Sequence, residues 1–458
     1  VDTDPENMLS ENDPARVFHN ETKDEFALHD LIVVGIVNDS DPSGVFNPES
    51  LARVHELNER VKSIDGVIAR DVLGPSTMDN IEQAGPGTIR FEWLMEEPPK
   101  TPEEAIAIKE AALRLPMLRG TVVSEDGDSV ALYVPIENKH ESHRISEEIE
   151  AIVAGFGDTS DQFYITGLPV AEDTFGVEMF KQMAISAPLA ALVILLLMWW
   201  FFRSFTLVLS PMIVAMTTVI ITMGALIASG FTVHIMSSMI PIFLMPIAVV
   251  DSVHLLSEVV DIYPRHGDRK KAVREVVSHL FAPMLYTSLT SAAGFLSLML
   301  TPIPPVRVFG AFVALGIGLA FVLTILVVPA YIAAMPDKRL EGLLSSKKDQ
   351  PEGGLLGRVV ESVGAKSLRF AKPILVVTVA AIALSGYGIS QININDNPVR
   401  WFKPSHKIRV ADEVLNRELA GTYTAFLIMK QDVDADAAII AAGDEVLVSA
   451  DEATRTRW

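Results

Sequence analysis

Six apolar runs, each close to the length that crosses a bilayer, decide what this sequence can fold into. They fall at roughly 183–202, 205–228, 233–256, 284–300, 307–334 and 373–390. A helix needs about 20 apolar residues to cover the hydrocarbon core. A single run of that length is also compatible with a buried helix of a soluble core. Six of them, in a chain of 458 residues that is 49% hydrophobic, predict an α-helical multi-pass membrane bundle.

The loops between the runs orient it. Arg203 lies in the first. Arg265, Arg269, Lys270, Lys271 and Arg274 lie in the 257–283 stretch, and eight Lys and Arg fall between 335 and 372. The stretches 229–232 and 301–306 carry none. Positive charge accumulates on the cytoplasmic side, so the alternation places residues 1–182 and the segment after 390 outside the cytoplasm. Trp199 and Trp200 then sit at the cytoplasmic interface, where aromatic belts occur.

Residues 1–182 hold 37 of the 58 Asp and Glu but 14 of the 37 Lys and Arg, a net −23 against −21 for the whole chain. So acidic a segment does not suit nucleic acid, which is bound through a basic footprint. Without cysteine, disulfides and thiolate metal sites are excluded. Strand-like and helix-like patterns alternate here: Leu31–Val37, then Pro48–Ile64 with Leu51, Val54, Leu57 and Val61 on one face, then Val67–Val72. Thr121–Ile136 reads as a hairpin turning at Glu125-Asp126-Gly127-Asp128, followed by a helix over Ser142–Phe156 and a strand over Gln162–Thr166. Two β-α-β units in succession predict a pair of ferredoxin-like subdomains.

An internal repeat is visible at a constant offset of 393 residues. Pro5 matches Pro398, Arg16 matches Arg409, Val17 matches Val410 and Glu25 matches Glu418, and strand-like runs follow at Leu31–Val37 and Ala425–Met429. In the second copy the motif follows an apolar run. A helix is therefore expected before the first copy as well, which makes the chain a fragment of a longer, two-fold repeated protein.

With these features in place the chain resembles the resistance–nodulation–division superfamily, and more narrowly its branch of MMPL-type predicted exporters. The matching stretches are GLPVAEDTF (167–175), PIAVVDSVHLLSEV (246–259), TSLTSAAGFLSL (287–298), RVFGAFVALGIGLAFVLTILVVPA (307–330) and NPVRWF (397–402). The resemblance implies an α+β extracytoplasmic porter domain over 1–182, a bundle of helices two to six over 183–334, a cytoplasmic linker over 335–372, helix seven over 373–390 and the start of a second porter domain over 391–458. It also implies that the first helix and most of the second half are missing. Helices two to six resemble sterol-sensing domains too, which keeps a lipid-sensing role open.

Asp251 is the clear carboxylate within an apolar run. Such groups are costly in a membrane and mark ion or proton paths. Burial there favours the neutral acid, so changing hydration lets it bind and release a proton. The resemblance points the same way: its fourth-helix acid is the proton-coupling position. His254, three residues on, shares a helix face with it and either relays a proton or holds the acid by a hydrogen bond, or else is an interfacial histidine facing the cytoplasm, whereas Ser252 points elsewhere. Many relatives carry a second acid or a Tyr beside the first, so Asp251-Ser252 is a departure that bears on proton stoichiometry. Thr287, Ser288, Thr290 and Ser291 form a polar stripe on the next helix, readable as a wet lining of the relay or as interhelical hydrogen-bonding groups. Pro241 and Pro246 interrupt the Asp251 helix and either bend it or free carbonyls towards a cavity.

His29-Asp30 and His140-Glu141-Ser142-His143 contain metal-type ligands without a third at useful spacing. No phosphate-binding loop and no nucleophilic triad stand out, so neither an enzyme nor a cofactor is expected. The favoured function is export of a hydrophobic or lipid-like substrate driven by protons, in the inner (plasma) membrane and with membrane lipids as partners; a homo-oligomer is compatible. The alternatives are a non-transporting lipid or sterol sensor and an accessory to protein translocation.

Overall fold

The computed structural model describes residues 4–85, 87–335, 355–392, 397–419, 421–423 and 427–428. Part of the strand-like run at 425–429, half of the 335–372 linker and most of the 391–458 segment lie outside them.

β1 (Asp30–Val37) is the central strand of a three-stranded antiparallel sheet, between β4 (Ser129–Ile136) and β5 (Gln162–Thr166). Val34 pairs with Leu132 on one side and Ile165 on the other. The segment 67–73 adds to the free edge of β4 through bridges at Val67 and Leu73 and a bond from Ile68 N–H to Pro135 O of 2.9 Å. The spatial order is therefore 67–73, β4, β1, β5, the split β-α-β arrangement. The two β-α-β units share one sheet rather than forming the expected pair of subdomains. The expected hairpin is also reduced: its second arm is β4, while its first arm contributes only a bridge from Val123 to Val130.

Strand periodicity divides the sheet into two faces. Ile32, Val34, Ile36, Leu132 and Val134 meet α2 (Pro48–Val61) and α4 (Ser142–Ala154) in the main core. Between segment 67–73 and β4 come a hairpin of β2 (Asp79–Gly85) and β3 (Thr88–Trp93) and helix α3 (Pro102–Arg114). Below α2, the buried Asp161 carboxylate accepts from Arg53 (2.6 Å), Ser50 (2.6 Å) and Asn38 (2.8 Å), tying β5 to β1 and α2.

The opposite face, with Val33, Gly35 and Ala131, is covered by the helix Lys407–Glu418, whose Leu415 is fully buried there. This helix is the structural counterpart of α1 (Pro14–Glu25) at the offset read from the sequence. The correspondence is detailed. A 3₁₀ turn at Pro5–Met8 is capped by Asp4, and one at Pro398–Trp401 by Asn397. Arg16 donates to Leu9 O at 2.8 Å, and Arg409 to Phe402 O at 3.0 Å. The repeat is thus one of conformation as well as of sequence.

The two helices differ at their caps. Asp13 caps α1 by accepting from Ala15 N–H, whereas His406 Nδ1 accepts from Ile408 N–H. Burial, together with the Lys407 charge, holds the His406 imidazole below its ordinary value of about 6.5. The folded state thus favours the neutral ring. Its contribution is present above pH ~6.5 and is lost as pH falls through the lowered value. Acidification should therefore weaken hydrogen-exchange protection at Ile408 selectively, with Ala15 unaffected; equal loss at both would rule out the histidine cap as the cause.

The membrane part contains, among the described residues, six helical segments long and apolar enough to span. They are α5 (Leu168–Phe202), α6 (Phe205–Ala228), the short α7 (Ile235–Ser238) with α8 (Ile240–His266), α9 (Arg269–Leu296), α10 (Pro304–Ala334) and the helix Ala371–Ser390. All six expected runs are helical, but three extend well beyond them. α5 starts fifteen residues before 183, and the 257–283 stretch is not a loop but two helix ends joined at Gly267-Asp268. Gly267 takes φ of 61° at the C-terminus of α8, and the Asp268 side chain caps α9.

Candidate functional site

α8 is the helix at the heart of the bundle. Its buried face runs through Ile240, Leu244, Ala248, Asp251, Ser252 and Leu255, in contact with α6, α9 and α10. Pro241 lies in the first turn, where a missing N–H costs nothing. Pro246 is inside the helix and has no N–H to give the carbonyl of Ile242, four residues back.

Asp251 is only 8% exposed. At 1.5 Å per residue it lies about 16 Å along the axis from Ile240, close to mid-membrane for a spanning helix and far from either end. Ser288 Oγ of α9 donates to Asp251 Oδ2 at 3.1 Å. Ser288 reaches it because Val276, Met284 and Ser288 share the buried stripe of α9. The neighbouring Ser252 turns to α10, where its hydroxyl meets that of Thr324 at 3.2 Å. A carboxylate with one hydroxyl donor, enclosed by apolar side chains, can alternate between charged and neutral forms as water reaches it.

The other expected members of the site stand differently. His254 is close enough to act on Asp251 electrostatically but is exposed on the flank of α8. Thr287 and Thr290 are exposed, and their hydroxyls bond to Pro283 O and Tyr286 O of their own helix. Ser291 is half-buried. Among the described residues, Ser288 is the one hydroxyl of the polar stripe that bonds to the acid. Away from the bundle, His143 joins α4 to α5, its ring nitrogen Nδ1 3.0 Å from Thr174 Oγ1. Thr222, His234 and Ser237, polar residues buried in the bundle, carry no sequence signal that separates them from ordinary polar positions.

Comparison with known proteins adds to this geometry. The sequence matches the MMPL family over residues 74–365, nearly two-thirds of the chain. That match includes α5 to α10 and therefore Asp251 and Ser288. The chain is also 22% identical over 353 residues to MJ1562 of Methanocaldococcus jannaschii, described as a membrane protein and nothing more; the match covers 74% of this chain and 87% of that protein.

Proposed function

The chain belongs to the MMPL family, and from that premise we propose that it exports a hydrophobic or lipid-like molecule at the expense of the proton gradient. The observation that carries this reading is Asp251, a carboxylate buried midway along a spanning helix with a single hydroxyl donor. A buried ionisable group in a membrane is expensive and is retained where it works. One elementary charge crossing the membrane is worth about 2.3 kcal/mol per 100 mV, so protonation and release at this site can drive a conformational cycle. In this reading the bundle lies in the inner (plasma) membrane with the basic turns at 203 and 265–274 inside. The α/β domain, as a porter domain, then lies outside and hands the substrate onward.

The test is chemical and works whatever the identity of the substrate. Envelope lipids of wild-type and deletion strains of the host are compared by untargeted mass spectrometry, with and without a protonophore. Export predicts that one lipid-like species accumulates in the inner membrane on deletion, and that the protonophore reproduces this in the wild type. A deletion that leaves lipid distribution unchanged rejects lipid export.

A further inference from the structure

A cavity of about 500 Å³ opens at the end of the bundle that carries the α/β domain. Glu11 and Arg16 of the N-terminal segment, Thr232 and His234 of the α6–α7 connection, Ser237 of α7 and Pro304 of α10 contribute to its wall. Beneath it the bundle has an unusual feature. Three buried side-chain atoms there have no hydrogen-bond partner among the described residues: His234 Nε2, Ser237 Oγ and Thr222 Oγ1. Their residues are 4%, 1% and 0% exposed. An unpaired polar atom in such a place is costly, and buried polar groups without protein partners are ordinarily satisfied by water.

We infer that a hydrated path runs from this cavity to Asp251, lined by His234, Ser237 and Thr222, and that it is the route by which protons reach the acid. The inference rests on the proton-coupled reading above. His234 Nδ1 accepts from Met236 N–H at 3.3 Å, so in the neutral ring Nε2 carries the proton and is a donor. Ser237, Leu244 and Asp251 are seven residues apart, and Met239 between α7 and α8 keeps helical dihedrals, so all three lie along one side of a nearly continuous helix. Thr222 reaches the same line from α6. A methyl group at Gly316 of α10 would fall 2.4 Å from Leu244 Cδ1 and 3.0 Å from Thr222 Oγ1, so these two side chains meet over the bare backbone of that glycine.

The path therefore has polar groups above Leu244 and the acid about 10 Å below it. Leu244 is the apolar constriction between them, and its displacement joins the two. A proton from cavity water passes along the water chain to the Asp251 carboxylate, which becomes a neutral acid while each water regains the proton it gave up. The titratable groups that bear on this route are Glu11, Arg16 and His234 at the cavity and His254 beside Asp251. Ser288 from α9, Thr222 from α6 and Thr324 from α10 bring hydroxyls.

The experiment is infrared difference spectroscopy of the full protein in lipid. The protonated Asp251 carbonyl band is identified by its loss in Asp251→Asn, and its rate of shift after transfer into heavy water is followed. Thr222→Val with Ser237→Ala should slow that shift roughly tenfold, the scale of one hydrogen bond lost from a buried chain, while Thr222→Ser keeps the wild-type rate and Leu244→Ala quickens it. Equal rates in wild type and the Thr222→Val, Ser237→Ala protein would overturn the path and leave proton coupling standing. A wild-type protein with no titrating band that Asp251→Asn removes would overturn both.

Discussion

Asp251→Asn is expected to reduce export to that of a strain lacking the protein, while the chain still inserts and folds. The amide is nearly the same size as the carboxyl, and its oxygen can still accept from Ser288. It removes the cost of holding a charge in a dry site, so thermal stability should be equal to or above that of the wild type. In the proton-coupled reading, what it removes is the proton-binding group. A proton that binds nowhere in the bundle transfers none of the roughly 2.3 kcal/mol per 100 mV available to it. Asp251→Glu should retain a fraction of activity, because it keeps the acid but displaces it by one methylene from Ser288. The measurements are accumulation of the exported species in a complemented deletion strain and the melting temperature of the purified variant. Wild-type export by a folded Asp251→Asn protein would end the proton-relay assignment and favour a lipid-sensing role.

How far the sequence reveals this site depends on which interactions define each part. Asp251 stands out as a carboxylate in an apolar run, and its burial follows from local pattern alone. The choice of Ser288 among four neighbouring hydroxyls does not, because it depends on the rotation of α9 against α8, which tertiary packing sets. The helix ends are obscured for another reason. Hydropathy registers the part of a helix inside hydrocarbon, whereas α5 continues through Val170, Asp173 and Thr174 to lie against the α/β domain. The sheet shows the same limit. Each β-α-β unit is legible by its period, but which strands become neighbours is decided by contacts a hundred residues apart, such as Val34 with Leu132. The repeat at 393 residues is the converse case: a weak similarity in identity corresponds to matching capped 3₁₀ turns and an arginine–carbonyl bond.

That repeat makes Gly35 a position where local preference and tertiary structure conflict. Valine is a better strand residue than glycine, and Gly35 sits in the middle of β1, so a local reading would expect Gly35→Val to stabilise the domain. The opposite should occur. A methyl group added at Gly35 would lie 2.1 Å from Leu415 Cδ2 and 3.1 Å from Leu415 Cγ. Leu415 is fully buried, with Val33, Ala131 and Leu419 around it. Alanine at position 35 forces Leu415 to rearrange, at about 1–3 kcal/mol. Valine leaves no room and should drive the helix Lys407–Glu418 off the sheet, forfeiting the roughly 1.5–3 kcal/mol that a buried leucine contributes. Because the chain has no cysteine, Ala411→Cys supplies a clean reporter: Ala411 is 2% exposed and should resist thiol reagents while the helix is docked. Gly35→Val should make that thiol react readily. Leu415→Ala combined with Gly35→Ala should protect it again, with a coupling between the two sites of at least about 1 kcal/mol. A protected thiol in Gly35→Val would show that the helix is not held by this contact. Its release would show that the segment after the helix Ala371–Ser390 is anchored on the domain before the bundle through this contact.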